Sequence, residues 1–146
     1  MSTPVFLTYY YPHLMALIFL VFFFATDVPA KGRFFLRAVT ALSIATFLAH
    51  ANRIFHLYPS LLYFPSGHMT FCLGVALSLG MLRPWTLAIS LPLLVPFGAA
   101  LVALHFHGVW DVLGAIPLVL GVYGIVHWDW NAPMASRPLD RRASYP

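Results

Sequence analysis

The chain has 146 residues, of which 61% are hydrophobic and only 8% charged, with a net charge of +4. An ordinary globular domain carries about 25% charged residues, so so few charges argue against a soluble protein, and nucleic-acid binding, disorder and a secreted disulfide scaffold are poor fits. The single cysteine, Cys72, allows no internal disulfide and no thiolate metal cluster.

The charges are clumped. Uncharged runs cover 1–26, 38–52, 54–82, 84–110 and 112–128, which are 26, 15, 29, 27 and 17 residues long. A helix needs about 20 apolar residues to cross a hydrocarbon core of about 30 Å. The expected fold is therefore all-α: an integral membrane helical bundle of about five transmembrane helices, forming one domain over 1–128, with a polar tail over 129–146.

In chain order, a first helix is expected from about Pro12 to Ala25. No Lys or Arg precedes this apolar run, so it reads as a retained helix and not as a cleaved signal peptide. Asp27, Pro29 and Gly32 make a turn flanked by Lys31 and Arg33. A second helix runs from about Phe34 to His50 or Asn52, and Pro59 and Pro65 argue for a loop over 53–65. A third opens at Ser66, a good N-cap, and closes near Leu82 before the Arg83-Pro84 break. A fourth runs from about Trp85 to Leu104 with Pro92 and Pro96 as kinks, and a fifth from about Gly108 to Trp128 with Pro117 inside. Gly74 and Ser78 on helix three, and Gly114, Gly121 and Gly124 on helix five, read as helix-packing positions.

Five spans set the termini on opposite sides. One side carries Lys31, Arg33, Arg37, Arg83, Arg137, Arg141 and Arg142, and the other only Arg53. By the positive-inside rule the first side, with the C-terminus, is cytoplasmic. On this topology His13, His50, His56, His68, His105 and His107 all lie near the non-cytoplasmic face, and His127 alone lies at the other end. His13, His56 and His127 read singly as headgroup-level residues that water satisfies.

Two constellations suggest chemistry. The first is Phe64-Pro65-Ser66-Gly67-His68, at a helix start. Free backbone N–H groups and the positive end of the helix dipole attract phosphate there, Gly67 lets an oxyanion approach the backbone, and His68 is placed to protonate a leaving oxygen. The bland alternative is a capped helix that contains a histidine. The second is His107 with Asp111, four apart and so on one helical face. A carboxylate bonded to one ring nitrogen fixes the tautomer and leaves the other free to attack. The bland alternative is a structural His–Asp pair. Arg53 on the same face favours the catalytic reading.

Together, Phe-Pro-Ser-Gly-His (64–68) and, 39 residues on, His-x-x-x-Asp (107–111) resemble the type 2 phosphatidic acid phosphatase superfamily over roughly Thr46 to Trp128. Its three blocks are K-x6-R-P, P-S-G-H and S-R-x5-H-x3-D. The second block is complete. In the third, His107 and Asp111 match, but the Ser-Arg positions are Ala100 and Leu101. In the first, Arg53 fits the arginine, Ile54 stands for the proline and Thr46 for the lysine. The family usually has six spans, so the resemblance implies a core lacking the first helix.

The resemblance implies a set of roles. His107 is the nucleophile, forming a phosphohistidine. Asp111 orients it, and His68 protonates the leaving group. Arg53 and the Ser66–Gly67 backbone hold phosphate oxygens, His50 and His105 are possible accessories, and no metal or cofactor takes part. Leu104 to Val112 also resembles the sphingomyelin-synthase branch, which transfers a phospho-headgroup between lipids. Loss of two cations suits a singly charged diester better than a doubly charged monoester.

The expected function is a lipid phosphatase or phosphotransferase acting on a lipid phosphate ester at the non-cytoplasmic face, with a slight preference for headgroup transfer or diester cleavage. The alternatives are a lipid phosphomonoester or isoprenyl diphosphate phosphatase, and a non-catalytic membrane scaffold or binding subunit. The expected partner is a membrane lipid (phospholipid, lipid phosphate or isoprenyl phosphate), with no nucleic acid. Oligomeric state is left open.

Overall fold

A computed structural model describes residues 3–27, 31–55 and 65–128, with the side chains of 3–8, 52 and 53 outside that description. The expectations for His56, for the loop over 56–64 and for the tail over 129–146 fall outside the described residues. Every regular element among the described residues is helical: α1 (Thr3–Ala25), α2 (Lys31–Phe55), α3 (Gly67–Leu82), α4 (Leu87–Ala103) and α5 (Val109–Val126), with a 3₁₀ turn at Pro84–Thr86 before α4.

Three segments are long and apolar enough to cross a membrane: Lys31–Ala51, Pro84–Ala103 and Val109–Val126. Two apolar helical segments are shorter, Tyr9–Ala25 and Gly67–Leu82. At about 1.5 Å per residue, α3 is roughly 24 Å long, less than a hydrocarbon core. Its short length goes with its position. It packs against α1, α2, α4 and α5, and it is buried almost all round, from Met69 and Thr70 through Cys72, Val75, Ala76 and Leu79 to Leu82. A helix apolar on every side belongs inside a bundle.

Residues of low bulk let the neighbours close on α3. A Cβ on Gly74 would lie 2.8 Å from Leu42 Cδ1 and 3.2 Å from the Tyr123 hydroxyl. That hydroxyl donates to the Gly74 carbonyl at 2.8 Å, the Ser78 hydroxyl donates to the same carbonyl at 3.0 Å, and the two hydroxyls lie 2.9 Å apart. The Gly74–Ser78 pair is thus a packing feature that also bridges α3 to α5. Gly121 and Gly124 do not fit the packing expectation: no atom lies within 4 Å of a Cβ built on either, because they sit on the outward face of α5.

Two helices begin earlier than the sequence suggests. α1 starts at Thr3, so Pro12 is interior and not at its first turn. An apolar bundle tolerates the one lost backbone bond. α2 starts at Lys31, not Phe34, and the Lys31 ammonium donates to the Phe24 carbonyl at 3.1 Å, in the last turn of α1. A cation there satisfies an orphan carbonyl and faces the negative end of the dipole. The Arg83-Pro84 break falls where expected, with Arg83 as the C-cap of α3 and Pro84 opening the 3₁₀ turn. Pro92 and Pro96 lie inside α4, and Pro117 inside α5.

Candidate functional site

The end of α2, the start of α3 and the α4–α5 turn converge at one end of the bundle. Their meeting is fixed by main chain: the Ser66 N–H donates to the Asp111 carbonyl at 2.8 Å. Ser66 is the N-cap of α3, with its hydroxyl accepting from the Met69 N–H at 3.3 Å. Its carbonyl accepts from the Thr70 N–H at 2.9 Å. Ser66 is fully buried, so it acts as an anchor, while Gly67 and His68, which follow it in the first turn of α3, are half-buried and exposed.

His68 is exposed in the first turn of α3, and its ring centroid lies 5.9 Å from that of His107 at 62°. His107 sits in the turn before α5. Its imidazole is only 10% exposed, and its Nδ1 faces Asp111 Oδ2 at 4.0 Å. The sequence spacing therefore places the two side chains together, at ion-pair distance and beyond hydrogen-bond length. The carboxylate's short bond goes elsewhere: Asp111 Oδ2 accepts from the Gly108 N–H at 2.8 Å, capping α5. An acid at the third helical position is the usual partner of an N-cap N–H, a reading that spacing alone did not supply.

Burial holds the His107 imidazole below the usual histidine range. His68 pushes the same way, Asp111 opposes, and His50 adds a further lowering. The neutral imidazole that this environment favours is the form in which a histidine can act as a nucleophile.

His50 joins the cluster. Its Nδ1 lies 2.8 Å from the Thr46 carbonyl. A carbonyl only accepts, so Nδ1 carries the proton and Nε2 of the neutral ring is an acceptor. The ring occupies the space that a side chain on Gly67 would need: a Cβ there would lie 2.5 Å from His50 Cε1 and 3.0 Å from Nε2. Gly67 was expected to admit an oxyanion, and in the structure the space beside it is taken by the His50 imidazole. His50, His68 and His107, with Ala49, Pro65, Gly67 and Phe106, line a cavity of about 200 Å³.

His105 is not among those lining residues. It has a backbone role instead, with φ of 58°. The Phe106 N–H donates to the Leu101 carbonyl and the His105 N–H to the Val102 carbonyl, both at 3.0 Å. These are the two bonds of a Schellman helix end, with His105 in the left-handed position that usually falls to glycine. This turn swings the chain so that His107 faces α3.

Two further residues stand beside His68 that sequence reasoning did not single out. Tyr9 of α1 and Phe106 line a second cavity of about 200 Å³ with His68 and Leu101. Nothing in the spacing of three consecutive tyrosines marks Tyr9 as the one that reaches the site. Leu101 is the position at which the resemblance has an arginine, and here it is hydrocarbon.

Arg53 lies near the end of α2, and its side chain is outside the described residues. His13 is exposed with Nδ1 2.9 Å from the Tyr9 carbonyl, which suits a residue that water can reach. His127 departs from the expectation of interfacial solvation. It is 5% exposed, stacked on Tyr123 at 5.6 Å, and burial, then Arg37, holds its imidazole below the usual range. Among the described residues no group of three His, Cys, Asp or Glu side chains is placed to hold a metal ion. Compared with family models, curated proteins and solved structures, the chain matches none.

Proposed function

We propose that the chain is a five-span membrane enzyme that transfers the phosphoryl or phospho-headgroup of a lipid ester by double displacement through His107. The observation that carries this reading is the convergence of His68 and His107 on one small cavity at a helix start, with the Asp111 carboxylate 4.0 Å behind His107.

In the first step His107 Nε2 attacks phosphorus. A P–N bond forms, the P–O bond to the leaving group breaks, and His68 gives its proton to the departing oxygen. In the second step water or a lipid hydroxyl attacks the phosphohistidine and gives its proton to His68, and the P–N bond breaks. Asp111 stabilises the charge that builds on the His107 ring. The Gly67 and His68 N–H groups, with Arg53, hold the non-bridging oxygens.

Within this class we favour a diester or headgroup transfer. Leu101 walls the site with hydrocarbon where the resemblance has a cation, and Thr46 stands where it has a lysine. A site with few cations suits a phosphate with one charge better than one with nearly two. The basic side of the bundle is proposed to be cytoplasmic and the histidine end non-cytoplasmic.

The test is to incubate purified protein with phosphorus-labelled phosphatidic acid, isoprenyl diphosphate and diacyl phospholipids. Acid-labile label is expected on the wild-type chain and none on His107→Ala. Release of inorganic phosphate alone would overturn the transfer preference. A non-catalytic binding subunit is the second reading, favoured by the 4.0 Å His107–Asp111 separation and by the capping role of Asp111. It predicts that His107→Ala preserves function in cells.

A further inference from the structure

The cavity at the histidines holds about 200 Å³. Sites that enclose a whole drug-sized ligand run to about 300–1,000 Å³, so this one has room for a headgroup and no hydrocarbon chain. A larger cavity, of about 620 Å³, lies between α3, α4 and α5. Its floor is Met69, Leu73 and Leu94, all buried. Its walls include Val95, Ala99 and Leu113, and Val95 and Leu113 are 71% and 45% exposed, so the groove opens on the outer side of the bundle. Every lining residue is apolar. The groove follows α4 from Ala103 to Leu91, about 18 Å at the helical rise. Its upper end reaches the histidine end of the bundle without sharing a lining residue with the histidine cavity: Met69 follows His68 in α3, Ala103 closes α4 just before the His107 turn, and Val112 follows Asp111 in α5.

We propose that this groove binds one extended hydrocarbon chain of the phosphate-bearing lipid whose headgroup enters the histidine cavity. The proposal rests on the reading above and adds the place and number of chains. The groove is a side channel for a single acyl or isoprenyl tail, and a second tail of a diacyl lipid stays in the bilayer. A chain in the groove is dry on the α3 side, and it holds the phosphorus beside His107 by tethering it from below. Binding energy from the unreactive tail thereby orients the reacting group.

The test uses the full chain in nanodiscs of digalactosyldiacylglycerol, a bilayer lipid without phosphate, with a phosphatidic acid probe carrying a photoactivatable diazirine midway along one acyl chain. Mass spectrometry is expected to find the label on Leu91, Val95, Ala99 or Leu113. Excess unlabelled phosphatidic acid should compete it away, and excess diacylglycerol should not. Ala99→Phe together with Leu113→Phe should lower labelling about tenfold or more, while His107→Ala should leave it in place. Label spread over the outer faces of all helices, or label in the groove that phosphatidic acid does not compete, would mean bulk lipid only and overturn the proposal. Competed groove labelling on a chain that never forms phosphohistidine would keep the groove and overturn the catalytic reading.

Discussion

At the scale of single residues, His50 and Gly67 form a matched pair: the ring of one lies where the side chain of the other would be. Gly67→Ala forces that ring to move, and overpacking of this kind costs about 1–3 kcal/mol. Adding His50→Ala to the same chain removes the obstacle. Thermal unfolding in detergent should show the double variant recovering most of the loss, and simple additivity of the two losses would contradict the contact. His107 carries a second expectation. Its imidazole is held below the usual range of about 6.5, and attack needs the neutral ring. Activity should therefore persist as pH falls through 6.5 and fade only below it, because the folded protein retains the reactive form to lower pH than a free imidazole does. Asp111 opposes that lowering, so Asp111→Asn should move the acid limb of kcat/KM further down while reducing kcat by about a hundredfold or more. An acid limb at or above 6.5 would exclude His107 as the titrating group.

At the scale of elements, the turn before α5 decides where His107 points. A Schellman end with His105 at φ 58° is unusual for a side chain with a Cβ. His105→Gly should keep the turn and leave turnover and stability unchanged or slightly raised. His105→Val, a β-branched residue forced into the left-handed region, should cost roughly 1–2 kcal/mol in unfolding, and equal behaviour of the two variants would remove the backbone role. The elements also show what a sequence discloses. The break at Arg83-Pro84 and the cap at Ser66 were legible because proline and serine act on their own local backbone. The true start of α1 was not, because whether a helix runs through Pro12 depends on the apolar neighbours that cover it. The role of Gly74 was legible from its spacing to Ser78, whereas Gly121 and Gly124 share the residue type and lie on the face that meets nothing. Periodicity gives the existence of a face and not what stands opposite it. For the same reason His68 and His107 could be paired by motif, and His50 named as an accessory, while Tyr9 enters the site only through the packing of α1 and the place of the His50 ring against Gly67 shows only in the packing of α2.

At the scale of the whole molecule, a central short helix is surrounded by four others, and among the described residues the charged side chains lie near helix ends. The proposed orientation has a direct check, made simple by the lone cysteine. Cys72 is fully buried, so the native chain should resist a membrane-impermeant thiol reagent. In intact cells His105→Cys should react, and Trp85→Cys, at the basic end, should react only after lysis. The reverse pattern would invert the topology.

The backbone bond from Ser66 to Asp111 has a temporal meaning as well. Its donor precedes α3 and its acceptor belongs to α5, which is synthesised after the other four described helices. A nascent chain that has placed four helices holds His50 and His68 but has neither His107 nor the bond that fixes their separation. The site is therefore complete only once α5 has joined the bundle, and on the proposed reading a chain interrupted before that is silent toward the lipids around it.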